Sequence, residues 1–137
     1  MNLYPYYKQT ALDIGNTDRV DFDTDAIKVM IMEGYTYDAT DKYVSHVPSG
    51  QIVARSGALS GKGVTNGTAT ASNVVLTSVA AGHTISSIIV YKDTGNDATS
   101  TLIAHIDKQQ DGTTNISLAT NGTDVTVSWH PSGLYDI

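Results

Sequence analysis

Ile27, Val29 and Ile31 stand two residues apart, and near the far end Val125, Val127 and Trp129 alternate with Asp124, Thr126 and Ser128. A two-residue period places one set of side chains on one face of an extended segment, so both stretches predict strands. On this pattern Trp129 is expected to point into the core. Further β candidates fall at residues 51–59, 68–72, 73–79, 85–91, 102–106 and 115–119. Ile88, Ile89, Val90 and Tyr91 form an unbroken apolar run, as expected of a central strand covered on both faces or lying against a partner.

Turn signals separate these candidates: Asn66-Gly67, Asp93-Thr94-Gly95, Asp111-Gly112 and Asn121-Gly122. Asn-Gly tolerates the positive φ angles of a tight hairpin. Helical periodicity is nearly absent, and residues 7–14 and 38–46 are each expected to give one or two turns at most. The pattern predicts an all-β fold, a β-sandwich or jelly-roll-like single domain with minimal helix. Residues 1–20 are expected to form an N-terminal arm or edge segment and residues 21–137 the sandwich.

A chain of 137 residues suits one domain and buries roughly two-thirds of its unfolded surface, enough for a core without metals or disulfides. Cysteine is absent, so the fold is expected to be indifferent to redox conditions. Charged residues make up only 16%, while Thr is the commonest residue, a composition that favours strands and turns. The net charge of -6 with eight scattered Lys and Arg argues against nucleic-acid binding, which needs clustered cations. No apolar run is long enough to span a membrane, and Met1-Asn2-Leu3-Tyr4-Pro5 resembles no signal peptide, so neither membrane anchoring nor Sec export is expected.

The motifs that could carry chemistry each fall short. Gly57 to Gly63 resembles a phosphate-binding loop, but the glycine spacing is short and Gly63 stands where a magnesium-binding hydroxyl belongs. Asp21, Asp23 and Asp25 resemble the opening of a calcium loop, yet Ala26 and Met32 replace the required Gly and Glu. His46, His83, His105 and His130 lie far apart, and Glu33 is the sole glutamate, so no metal centre and no paired-carboxylate site is predicted. No enzyme activity and no cofactor is expected. Three Asn-x-Ser/Thr sequences, at Asn66, Asn115 and Asn121, are read as turns rather than glycosylation sites. Tyr4, Tyr6 and Tyr7 flank Pro5 near the terminus. They are candidate interface residues, because tyrosine buries a large area at low entropic cost, with packing on the chain's own sandwich as the alternative.

Residues 25–32, Tyr35-Thr36-Tyr37 and Ile89-Val90-Tyr91-Lys92-Asp93-Thr94-Gly95 resemble a family of small structural proteins of tailed bacteriophages. The likeness continues through residues 100–107 and 121–129, and it breaks at residues 41–46 and 71–75. The resemblance implies a capsid decoration, or cement, protein on the outer surface of the phage head. Its expected partners are the major capsid protein and copies of itself, as a dimer or trimer, on a virion assembled in the host cytoplasm. A tail, baseplate or head-fibre component is the second expectation. A carbohydrate-binding module, which would need an exposed Trp129, is the third.

Overall fold

The computed structural model of the chain describes residues Met1–Asp136. The elements run β1 (Asn2–Leu3), α1 (Pro5–Leu12), β2 (Ile27–Met32), β3 (Ile52–Arg55), β4 (Gly63–Thr65), β5 (Thr68–Thr70) and β6 (Val74–Leu76). They continue with β7 (Thr84–Ile85), β8 (Ser87–Lys92), β9 (Leu102–Ile106), β10 (Leu118–Ala119), β11 (Val125–Val127) and β12 (Tyr135–Asp136). The fold is all-β, as the periodicity predicts, with one short helix that starts at Pro5, where the missing N–H costs nothing. The second expected helical stretch is reduced to a single 3₁₀ turn at Val44–His46.

A five-stranded antiparallel sheet in the order β1-β9-β8-β2-β3 forms the main layer. β8 is central, and Ile89, Val90 and Tyr91 are all buried, which accounts for its unbroken apolar run. Register divides the two faces. Met30, Ile89 and His105 stand opposite one another and share one face, while Ile31, Ile88 and Ile106 share the other. Against the first face lie Tyr35 and Tyr37, whose rings sit 5.4 and 5.5 Å from that of His105.

Over the second face the opposing layer is broken into three ribbons: β12-β5-β4, β11-β6 and β10-β7. Ala69, Leu76, Ile85, Val127 and Tyr135 from these ribbons join the sheet in one hydrophobic core. Burying each large aliphatic side chain there contributes about 1.5–3 kcal/mol. The β4–β5 ribbon is the tight hairpin expected at Asn66-Gly67, with φ of 52° and 81° and Thr65 opposite Thr68. Asn121-Gly122 differs. It turns the chain between β10 and β11, which pair with different strands, so it joins two ribbons instead of closing a hairpin.

Residues 1–20 supply the edge strand β1, paired with β9, and helix α1, whose Tyr7 ring meets Tyr135 edge-on at 5.8 Å. β1, β4 and β12 lie outside every stretch that alternation marked, because two or three residues are too few to show a period.

Candidate docking surfaces

The break in the second layer leaves a groove of about 780 Å³. The cross-strand row Ile31, Ile88 and Ile106 lies along it, with Ile85 and Leu118 from the paired strands β7 and β10, and Val125 and Val127 from β11. Trp129 also lines it. The second alternating stretch ends as a strand at Val127, so Trp129 packs against the core from its margin without being enclosed in it. It is half-buried, with its indole N–H donating to the Ser72 carbonyl at 3.1 Å.

The rim is polar and comes from the 108–115 loop and His130. Gln110 donates to the Trp129 carbonyl at 3.0 Å and so ties that loop to the tryptophan segment. Lys108 donates to the Asn115 side-chain oxygen. Asp111 accepts from the Thr114 hydroxyl and from the Thr113 and Thr114 amides, and these bonds lower its carboxyl to a pKa of about 2. A mostly apolar concavity with a few polar groups at its margin is suited to binding.

Large apolar side chains also stand in water elsewhere. Leu12 and Ile14, at the end of α1, are 89% and 82% exposed. Val64 on β4 and Val75 on β6 are about half exposed, as are Met1 and Leu118 beside the groove. Single exposed hydrophobics are ordinary, but a near-adjacent pair as bare as Leu12 and Ile14 is not. Alternation singles out neither residue, and both fall in a stretch expected to give a turn or two of helix. The available signal was their place directly before the Gly15-Asn16 turn.

The tyrosines proposed as an interface are placed differently. Tyr4 is fully buried and Tyr7 is 6% exposed, so neither has area left for a partner. Tyr4 shares a hydrogen bond with the Tyr35 hydroxyl at 2.9 Å, and Tyr35 donates to Asp41 at 2.9 Å. Burial raises the Tyr4 phenol and pushes that of Tyr35 up to about 12. Tyr7 pairs with the Tyr135 hydroxyl at 2.9 Å. Their amphipathic rings serve the chain's own core, since the terminal segment is tied down by β1 pairing. Tyr6 is half-buried and donates to Asp18 at 2.5 Å. Tyr43 donates to the same oxygen at 2.6 Å, and these two bonds, that from Tyr43 first, hold the Asp18 carboxyl below its usual range.

The remaining sequence candidates do not converge. The loop at Gly57 to Gly63 runs into strand β4 and not into a helix, so it lacks the N-terminal amides a phosphate would need. Asp25 caps the Asp21 amide at 2.7 Å and pairs with Lys92 at 3.3 Å. His46 accepts from the Lys42 amide, His83 meets Glu33 at 3.0 Å, and His130 accepts from the Ser132 amide. His105 is buried between its two tyrosines, and neither ring nitrogen has a hydrogen-bond partner. Among the described residues no three potential ligands gather around a metal position. Compared with models of known protein families and with curated proteins, the chain matches none.

Proposed function

We propose that this chain is a non-enzymatic virion protein, a capsid decoration or cement protein that binds the outer lattice of a tailed-phage head. The observation that carries this reading is the largely exposed pair Leu12 and Ile14 at the end of α1, together with half-exposed Val64 on β4, Val75 on β6, and Met1 and Leu118 at the groove margin, on a domain with its own hydrophobic core. A lattice binder must touch more than one neighbour, so adhesive surface on several sides is what the role demands. Each contact can be modest, since bridging neighbouring subunits turns weak affinities into avidity. A standard interface buries roughly 800 Å² on each partner, and such an area needs an apolar centre with a polar rim. The likeness of residues 89–95 and 121–129 to small phage structural proteins points the same way.

The test is binding of the purified protein to undecorated heads, with bound copies counted against major capsid protein and the heads then challenged by heat. Saturation at a copy number near that of the capsid protein, with tougher heads, is expected. A handful of copies would move the protein to a tail, baseplate or fibre. No binding would remove it from the head.

A carbohydrate-binding reading retains one supporting observation, the half-buried Trp129 in an open groove. Its aliphatic surroundings suit an apolar occupant better than a sugar. Quenching of its fluorescence by a polysaccharide would reverse that preference.

A further inference from the structure

We propose that Asn121 is a site of spontaneous self-modification: the Gly122 amide closes onto the Asn121 side chain, ammonia leaves, and an aspartyl or isoaspartyl residue results. The chain contains the same four residues twice, Thr65-Asn66-Gly67-Thr68 and Thr120-Asn121-Gly122-Thr123. A following glycine has no side chain to block the approach of its nitrogen to the asparagine carbonyl, so local sequence ranks the two sites equally. The other asparagines precede Leu, Thr, Val, Asp or Ile, which crowd that approach. The fold is what separates Asn121 from Asn66. This reactivity goes beyond the decoration reading and needs no partner.

Asn121 is arranged for the reaction. Its side chain forms an Asx turn, in which Oδ1 accepts from the Thr123 amide at 3.1 Å and from the Thr123 hydroxyl. Addition of the Gly122 nitrogen to Cγ puts negative charge on that same oxygen, so both donors stand where the charge develops. Asn121 and Gly122 are exposed to water, and an added Cβ at Gly122 would meet nothing within 4 Å, so the backbone has room to swing its nitrogen toward Cγ. Asn66 is held the other way. Its φ of 52° lies in the left-handed region, where the next amide nitrogen sits across the Cα–C bond from the side chain. Bringing Gly67 round to Cγ requires Asn66 to leave that region, and the hairpin that sets Thr65 opposite Thr68 keeps it there.

The step balances with water alone. Hydroxide takes the Gly122 proton, the nitrogen bonds to Cγ, and the Cγ–Nδ2 bond breaks with a proton from water to release ammonia. Water then opens the cyclic imide. Cleavage of the new bond to Cγ gives aspartate, whereas cleavage of the original peptide bond gives isoaspartate, with an extra methylene in the main chain. The turn is anchored on both sides: the Thr120 amide donates to the His83 carbonyl at 2.8 Å, and the Val79 amide donates to the Thr123 carbonyl at 3.1 Å. The extra methylene lengthens the chain between those anchors. Either product also adds a negative charge close to Asp124, which accepts from the Ser78 amide at 2.9 Å.

The full chain is incubated at mildly alkaline pH, folded and in parallel in urea. Both asparagines are followed by peptide mapping with electron-transfer fragmentation, which tells aspartate from isoaspartate. In urea the two identical tetrapeptides should convert at matching rates. In the folded protein Asn121 should convert at least roughly tenfold faster than Asn66, a difference of about 1.4 kcal/mol in barrier. Gly122→Ala should slow conversion at Asn121, because a methyl then crowds the attacking nitrogen. Thr123→Val, shown to be folded by circular dichroism, should slow it as well, because one of the two donors on Oδ1 is gone. Equal rates in the folded protein, a faster Asn66, or an Asn121 that stays intact while the urea sample reacts would each overturn the inference. A folded Thr123→Val that reacts as fast as the wild type would overturn the role given to the turn.

Discussion

Acidification should weaken this protein through one histidine before its carboxylates matter. His105 on β9 is 2% exposed, lies against the rings of Tyr35 and Tyr37, and has two ring nitrogens without hydrogen-bond partners. Burial penalises its charged form and lowers its pKa below the ordinary value of 6.5. The unfolded chain takes up a proton near pH 6.5 that the folded chain refuses. This contribution to stability is therefore complete above that pH and falls as the pH drops toward the folded value. The slope is about 1.4 kcal/mol per pH unit, so the loss reaches at most about 1.4 kcal/mol by pH 5.5. Asp18, Asp93, Asp97 and Asp111 have carboxyls lowered by their hydrogen bonds, and their contributions are lost only further down, below the usual carboxylate value of 3.8. The two windows separate. His105→Phe keeps an aromatic ring of similar size and removes both unpartnered nitrogens, each of which costs on the order of 1 kcal/mol when buried. Urea denaturation at pH 7.5, 6.5 and 5.5 is the assay. The wild type should weaken between the last two, while the variant should be at least as stable at pH 7.5 and flat across the range. A wild type with no slope, or a variant that keeps it, would refute the reasoning.

Two further substitutions test the packing. Ile89→Ala, at a fully buried position in the central strand, should cost about 2–5 kcal/mol, because the close-packed surroundings refill the cavity only in part; a change under 1 kcal/mol (~) in the denaturation midpoint analysis would show that this part of the core is loose. Gly133→Ala should also destabilise, by about 1–3 kcal/mol: its φ is +113°, and an added Cβ would lie 2.5 Å from the Thr68 methyl and 2.7 Å from the Ala69 carbonyl. Thermal melting that leaves this variant unchanged would contradict the close approach between the 130–134 turn and β5.

The strands most legible in the sequence are the long ones of the main sheet, β2 from its alternation and β8 from its unbroken apolar run. β2, β8 and β9 could be read because five or six consecutive residues in each see the same two faces. The candidate docking surface was not legible, for a related reason. It is made where the second layer fails to be continuous, and alternation says which side of a strand is apolar without saying which strand will lie beside it. Val125 and Val127 alternate correctly, yet their strand stops two residues short of Trp129, and β10 and β11 turn away to different partners. The Trp129 ring is thus set in a groove by pairing choices made at Leu76 and Ile85, about 40 residues away or more in sequence. The tyrosines show the converse. A cluster of three amphipathic rings at a chain end has the composition of an interface, but β1 pairing with β9 carries Tyr4 and Tyr7 inward, and their hydroxyls find Tyr35 and Tyr135 far along the chain. Side chains of the same chemistry serve a core or a surface according to contacts that local sequence does not specify. The Leu12–Ile14 pair, whose one local signal is the turn that follows it, is left outside for that reason, since no described strand or ribbon of its own chain covers it.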